Sequence, residues 1–126
     1  MNRKVLVVDD SLSVARQLTK IVDEIEDFDV IGHAKNGAEA VKLFKTLGPD
    51  IVFMDIVMPM MDGLQALRTL VRLDPEAKVV VISSMGGSGQ KAEEALRLGA
   101  MNVVSKPFEP DKVKTILKRL FGQEQG

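Results

Sequence analysis

The sequence predicts an α/β protein built on one parallel β-sheet with helices on both faces. Short apolar runs typical of buried strands recur along the 126 residues, and segments with helical periodicity fill the gaps between them. Strict alternation of strand and helix, joined by right-handed crossovers, makes the strands parallel and covers both faces of the sheet.

The predicted strands are continuous apolar runs, as expected when both faces of a sheet are buried. In chain order they are Val5 to Val8, Val30-Ile31, Ile51 to Met54, Val79 to Ile82 and Val103-Val104.

Each predicted strand is followed by a helix whose apolar residues share one face. Asn36 and Glu39 have capping-box spacing at the start of the second helix, Gly48 and Gly99 stand where helices should end, and Pro110 suits the first turn of the fifth. The expected inward positions, helix by helix, are Ala15, Leu18, Val22 and Ile25; Val41, Phe44 and Leu47; Leu64, Leu67 and Val71; Ala92, Ala95, Leu96 and Gly99; and Val113, Ile116, Leu117 and Leu120.

Five such units predict a flavodoxin-like (βα)5 doubly wound sheet with strand order 2-1-3-4-5. This order creates a switch point between the first and third strands, and ligands of such sheets bind there, outside the carboxyl ends of the strands. We expect one domain over residues 1–126, with 122–126 as a frayed tail.

Composition excludes several classes of function. Seventeen basic and eighteen acidic residues give a net charge of −1, so nothing global attracts nucleic acid or an anionic membrane. The absence of cysteine excludes disulfides, thiolate metal sites and cysteine nucleophiles. The first apolar run is too short for a signal peptide or a membrane span, so we expect a cytoplasmic protein. We also expect a monomer.

Polar side chains stand at the carboxyl ends of four predicted strands. Asp9 and Asp10 follow the first, Asp55 ends the third, Ser83 follows the fourth and Lys106 follows the fifth. Because carboxyl ends of parallel strands meet at one edge of the sheet, we expect these residues to converge.

Three converging carboxylates would repel one another unless a cation lies among them. Oxygen ligands without histidine or cysteine suit Mg²⁺. Lys106 adds a fixed positive charge, and the Ser83 hydroxyl can donate to an anionic oxygen. An aspartate in these surroundings, here Asp55, is suited to attack phosphorus.

Four motifs carry a resemblance to a known family. They are Val-Asp9-Asp10-Ser, Asp55 with Met58-Pro59 and Asp62-Gly63, Ser83-Ser84, and Lys106-Pro107-Phe108. With these motifs the whole chain resembles a receiver domain of bacterial response regulators, of the stand-alone chemotaxis CheY type.

The resemblance implies a phosphorylation switch that takes its phosphoryl group from a histidine kinase and requires Mg²⁺. It implies that Asp55 is the phosphoacceptor and that Asp9, Asp10, Asp55 and the backbone carbonyl of Val57 bind the metal. It also implies that Ser83 is the switch hydroxyl and that Lys106 pairs with the phosphoryl group. It also implies a cis Lys106–Pro107 bond and an output through contact with another protein, with flagellar motor control as one candidate.

The chain departs from the family pattern at Val103, where an aromatic switch residue is usual, and it contains no Tyr or Trp. The signal would therefore depend on Ser83 and on the glycine-rich segment from Met85 to Gln90. Val57 offers no side chain that could position water, so we expect dephosphorylation without assistance from that position.

Other functions remain open at this stage. One is a phosphorelay intermediate that passes the phosphoryl group to a phosphotransfer protein. A haloacid-dehalogenase-type phosphatase is less favoured, because such enzymes need a second aspartate where this chain has Val57. His33, the only histidine, is expected to be a strand-end residue and not a phosphodonor.

Overall fold

A computed structural model describes residues 2–56, 58, 63–83 and 89–122. Within them, five strands alternate with five helices: β1 Arg3–Val8, α1 Leu12–Asp23, β2 Phe28–Ala34, α2 Gly37–Leu47, β3 Ile51–Asp55, α3 Gly63–Leu73, β4 Val79–Ser83, α4 Gly89–Leu98, β5 Asn102–Ser105 and α5 Pro110–Gly122. The strands form one parallel sheet in the order β2-β1-β3-β4-β5. The predicted α/β class and strand order are confirmed.

The register of the sheet aligns the carboxyl ends of its strands. Asp55 in β3 is level with Ile82 in β4, and Ser83 is level with Ser105 in β5. Because β1 and β3 are neighbours, the residues that follow β1 emerge beside the end of β3.

Two apolar layers cover the sheet. Val5 and Val7 face the layer made with α1 and α5, whereas Leu6 and Val8 face the layer made with α2, α3 and α4. This alternation along one strand, with both faces apolar, explains why the strands appear in the sequence as unbroken hydrophobic runs.

The predicted ends of α2 and the predicted start of α5 agree with the structure. The Asn36 side chain accepts a hydrogen bond of 2.8 Å from the Glu39 amide, and Gly48 ends α2 in the left-handed conformation with φ 57°. Pro110 is the first residue of α5, as predicted. Gly122, expected as the first residue of the frayed tail, is instead the last residue of α5. Residues 123–126 of the expected tail lie outside the described residues.

Three of the expected inward positions were wrong as helix positions. Gly99 is exposed and follows α4, which ends at Leu98, although it stands where the helix was expected to end. Ile25 lies beyond α1, which ends at Asp23, although its side chain is buried in the same layer as the helix. Leu96 is 47% exposed. In α4 only Ala95 is fully buried, because this helix covers the edge of the sheet at β4 and β5 and buries a narrow stripe.

No helix in the described part of the chain combines the length and apolar character needed to span a membrane.

We expect Asn36→Ala to lower the free energy of unfolding by about 1 kcal/mol, because the Glu39 amide loses its side-chain acceptor. Asn36→Asp keeps an acceptor oxygen and should stay within about 0.3 kcal/mol of the wild type. Urea denaturation of the three proteins measures both effects, and equal losses in both variants would contradict the cap.

Candidate functional site

Three carboxylates meet at the carboxyl edge of the sheet. Asp9, Asp10 and Asp55 each offer one oxygen, and these oxygens all lie within 4.8 Å of one another. Asp9 and Asp55 are buried, whereas Asp10 is exposed. The structure therefore brings together the acids that the sequence placed after the first strand and at the end of the third.

One Asp9 oxygen is buried without a hydrogen-bond donor. Oδ1 accepts a 2.8 Å hydrogen bond from the Ser11 amide, but no group among the described residues donates a hydrogen bond to Oδ2. The Lys106 ammonium lies near Oδ2, with its Nζ 3.4 Å away. A buried carboxylate oxygen without a donor is costly, and a bound cation would remove that cost.

Lys106 supplies the positive charge of the site. Its Nζ donates to Asp55 Oδ2 at 3.3 Å, and its backbone amide donates to the Ser83 carbonyl at 2.9 Å. Burial lowers the pKa of Lys106, but the negative charges of Asp55 and Asp9 outweigh burial and raise the pKa above its ordinary value. The ammonium is therefore charged at neutral pH. The Lys106–Pro107 bond is cis, as expected.

The donor set fits Mg²⁺. Three carboxylates cluster and one ammonium contacts two of them, so negative charge is in excess, and the ligand atoms on offer are hard oxygens. The Val57 carbonyl, expected to complete the metal ligands, lies outside the described residues and stays a prediction.

Ser83 is placed beside this cluster by the sheet. It is the last residue of β4, it is buried, and it stands one residue beyond the level of Asp55 on the adjacent strand. Residues 84–88 lie outside the described residues. The glycine-rich segment from Met85 to Gln90, expected to carry the signal with Ser83, was expected to precede the fourth helix, but Gly89 and Gln90 are the first residues of α4. Val103, at the expected aromatic position, is half-buried in β5.

Gly63 packs against the backbone of Asp55 in a way that the sequence motif did not reveal. Its amide donates a 2.9 Å hydrogen bond to the Ile56 carbonyl. A Cβ atom at Gly63 would overlap the Asp55 carbonyl oxygen and lie 2.6 Å from the Cα of Ile56. The first residue of α3 therefore reaches the end of β3 only because it has no side chain.

His33 also contacts the site, which sequence reasoning missed. It is the penultimate residue of β2, consistent with the expected strand-end position. Its Nε2 lies 2.9 Å from the Asp9 carbonyl oxygen, at hydrogen-bond distance. No spacing in the sequence indicated this contact, because it joins a side chain to the backbone of a residue that follows another strand.

Comparisons with known proteins agree with this geometry. The family model of the response regulator receiver domain matches residues 5–118. The chemotaxis protein CheY of Listeria monocytogenes is 42% identical over 116 residues, which cover 92% of this chain and 96% of that protein. CheY of Thermotoga maritima is 40% identical over 120 residues, which cover 95% and 98% of the two chains.

Solved structures show the same similarity. A chain of the CheX–CheY–BeF3–Mg²⁺ complex from Borrelia burgdorferi matches with a TM-score of 0.86 and 37% identity, covering 94% of this chain and 89% of that one. The response regulator domain of Thermotoga maritima CheB matches with a TM-score of 0.82 and 36% identity, covering 98% and 96%.

We expect Gly63→Ala to lower the free energy of unfolding by about 2 kcal/mol, because the added methyl group forces the Asp55–Ile56 backbone to shift. Gly89→Ala is a matched control. Gly89 is also the first residue of its helix, but no atom of the described residues lies within 4 Å of an added Cβ. The control should be neutral or slightly stabilising. A Gly63→Ala protein as stable as the control would contradict the close packing.

Proposed function

Because the chain belongs to the response regulator receiver family, we propose that it is a CheY-like phosphorylation switch whose Asp55 accepts a phosphoryl group from the phosphohistidine of a histidine kinase. One observation carries the proposal. The buried Asp55 carboxylate lies at the carboxyl edge of the sheet, clustered with the acids Asp9 and Asp10 and 3.3 Å from the charged Lys106 ammonium.

In the proposed transfer, a carboxylate oxygen of Asp55 attacks phosphorus. An O–P bond forms as the N–P bond of the phosphohistidine breaks, and the electron pair of that bond stays on the imidazole nitrogen. Asp9, Asp10, Asp55 and the Val57 carbonyl would hold Mg²⁺, which when bound neutralises charge on the oxygens of the transferring group.

Lys106 and Ser83 act on the same group from the side of β4 and β5. The Lys106 ammonium already lies 3.3 Å from an Asp55 oxygen, so it can balance negative charge without a large movement. We assign the Ser83 hydroxyl, at the end of β4, as the donor that responds to a new phosphoryl oxygen. Its position one residue beyond the level of Asp55 supports this role.

The proposed output is a change in affinity for a protein partner on the surface around α4, β5 and α5. Similarity to CheY over nearly the whole chain supports a place in chemotaxis control in the cytoplasm. A phosphorelay intermediate uses the same site, and it is distinguished by transfer of the phosphoryl group back to a histidine.

Incubation with acetyl phosphate and Mg²⁺ should add the mass of one phosphoryl group to the wild type. No addition is expected for Asp55→Asn or in the presence of a chelator, because the nucleophile or the metal is then missing. Asp74→Asn, which changes an exposed acid just after α3, is the matched control and should be phosphorylated normally. Intact mass spectrometry measures the result, and equal phosphorylation of Asp55→Asn would refute the assignment.

Lys106→Gln should bind Mg²⁺ about threefold more tightly, or better, because one positive charge no longer competes for Asp9 and Asp55. Its phosphorylation by acetyl phosphate should nevertheless be slower by about tenfold or more, because the balancing ammonium is lost. Calorimetry and mass-spectrometric time courses measure the two effects.

Lys112→Gln is the control for this charge change, since Lys112 is exposed and pairs with Glu109 at 3.6 Å, on the surface. It should leave both measurements unchanged. Weaker Mg²⁺ binding in Lys106→Gln would show that the lysine supports the metal site and does not compete with it.

A further inference from the structure

We propose that His33 is a positioning residue of the acidic site: its imidazole holds the Asp9 carbonyl, and thereby fixes where the carboxylates of Asp9 and Asp10 lie. The inference rests on the proposed function, because it concerns the affinity of that site for Mg²⁺. The observation is the 2.9 Å contact between His33 Nε2 and the Asp9 carbonyl oxygen.

A β-bulge in β2 brings His33 to the face of the sheet that α1 covers. Val5 pairs with Val30, but Leu6 pairs with Gly32, so Ile31 is an extra residue in β2. Val30 and His33 are an odd number of positions apart and would face opposite sides of a regular strand. The bulge places both on the side of α1, where Val30 packs in the core and His33 borders a surface cavity lined by α1 residues.

The contact with His33 completes a clamp on Asp9. The Asp9 amide donates to the Ala34 carbonyl at 3.0 Å, and Oδ1 accepts from the Ser11 amide at 2.8 Å. The Asp9 carbonyl accepts from His33. With these three groups held, the other carboxylate oxygen, Oδ2, lies 3.4 Å from the Lys106 ammonium.

Removing the imidazole would affect metal binding and not only stability. Asp9 is fully buried, so water cannot donate to its carbonyl in place of His33 unless the backbone moves. A carbonyl that loses a buried donor is unfavourable, and the chain at residues 9 and 10 would relax toward solvent to satisfy it. Both acids lie on that piece of backbone, so their oxygens would leave the positions suited to a shared cation.

The His33 side chain is needed as a hydrogen-bond donor to the Asp9 carbonyl. A carbonyl oxygen only accepts, so Nε2 must carry the hydrogen. Glutamine can place an amide N–H near the position of Nε2, whereas leucine has similar bulk and no donor. The pair His33→Gln and His33→Leu therefore separates the hydrogen bond from the space that the ring fills.

The test is Mg²⁺ binding by calorimetry to the wild type, His33→Gln, His33→Leu and Val30→Ala. His33→Leu should bind about tenfold more weakly, the loss typical when a residue that orients metal ligands is removed. His33→Gln should recover most of the wild-type affinity. Val30→Ala, on the same face of β2, should lose stability in urea without a change in Mg²⁺ affinity.

A second readout uses the fact that the chain has one histidine. Long-range ¹H–¹⁵N spectra should show a single imidazole with hydrogen on Nε2, and its signals should shift when Mg²⁺ is added. An imidazole protonated only at Nδ1 would overturn the inference.

The outcomes also separate the inference from the proposed function. Wild-type affinity in a folded His33→Leu, or a His33→Gln as weak as His33→Leu, would overturn the role of His33 alone. A wild type that binds no Mg²⁺ and accepts no phosphoryl group from acetyl phosphate would overturn the proposed function together with the inference.

Discussion

The site depends on an excess of buried negative charge that the protein balances only in part. Asp9 and Asp55 are both buried, and isolated buried carboxylates are strongly unfavourable. Lys106 lies 3.4 Å from one and 3.3 Å from the other, so a single ammonium is shared between two acids. An oxygen of Asp9 still has no donor among the described residues. A cation bound at this position, as in the proposed Mg²⁺ site, would complete the balance of charge.

The backbone around the acids has little freedom, which maintains this arrangement. Asp55 ends a strand that is buried along its whole length, and the start of α3 packs directly on its carbonyl through Gly63. Asp9 is held through its amide, its carbonyl and one carboxylate oxygen. Rigid surroundings of this kind keep like charges close together, because neither acid can move away from the other.

The sequence was sufficient to predict the sheet and the meeting of the acids, because both follow from patterns that do not depend on fine packing. Buried parallel strands are continuous apolar runs, and their carboxyl ends share one edge. The contacts of Gly63 and His33 could not be predicted in this way. Gly63 matters through a close approach in space, and His33 reaches the site because an extra residue, Ile31, changes the face of the strand. Leu96 was misplaced because amphipathic periodicity does not show that a helix covers only the edge of a sheet.

In the proposed switch, the same contacts would carry a change at Asp55 to the edge of the sheet without an aromatic residue at position 103. The Lys106 amide is bonded to the Ser83 carbonyl, so the ends of β4 and β5 are joined beside the acids. A phosphoryl group on Asp55 would attract the Lys106 ammonium more strongly than the unmodified Asp55 carboxylate does. The ammonium would therefore move away from Asp9. Movement of Lys106 would displace the end of β5, which is the edge strand, and with it the surface that contains Val103. In this proposed switch the charge shared by Lys106 transmits the signal, because the ammonium contacts both acids and its backbone belongs to the segment that follows β5.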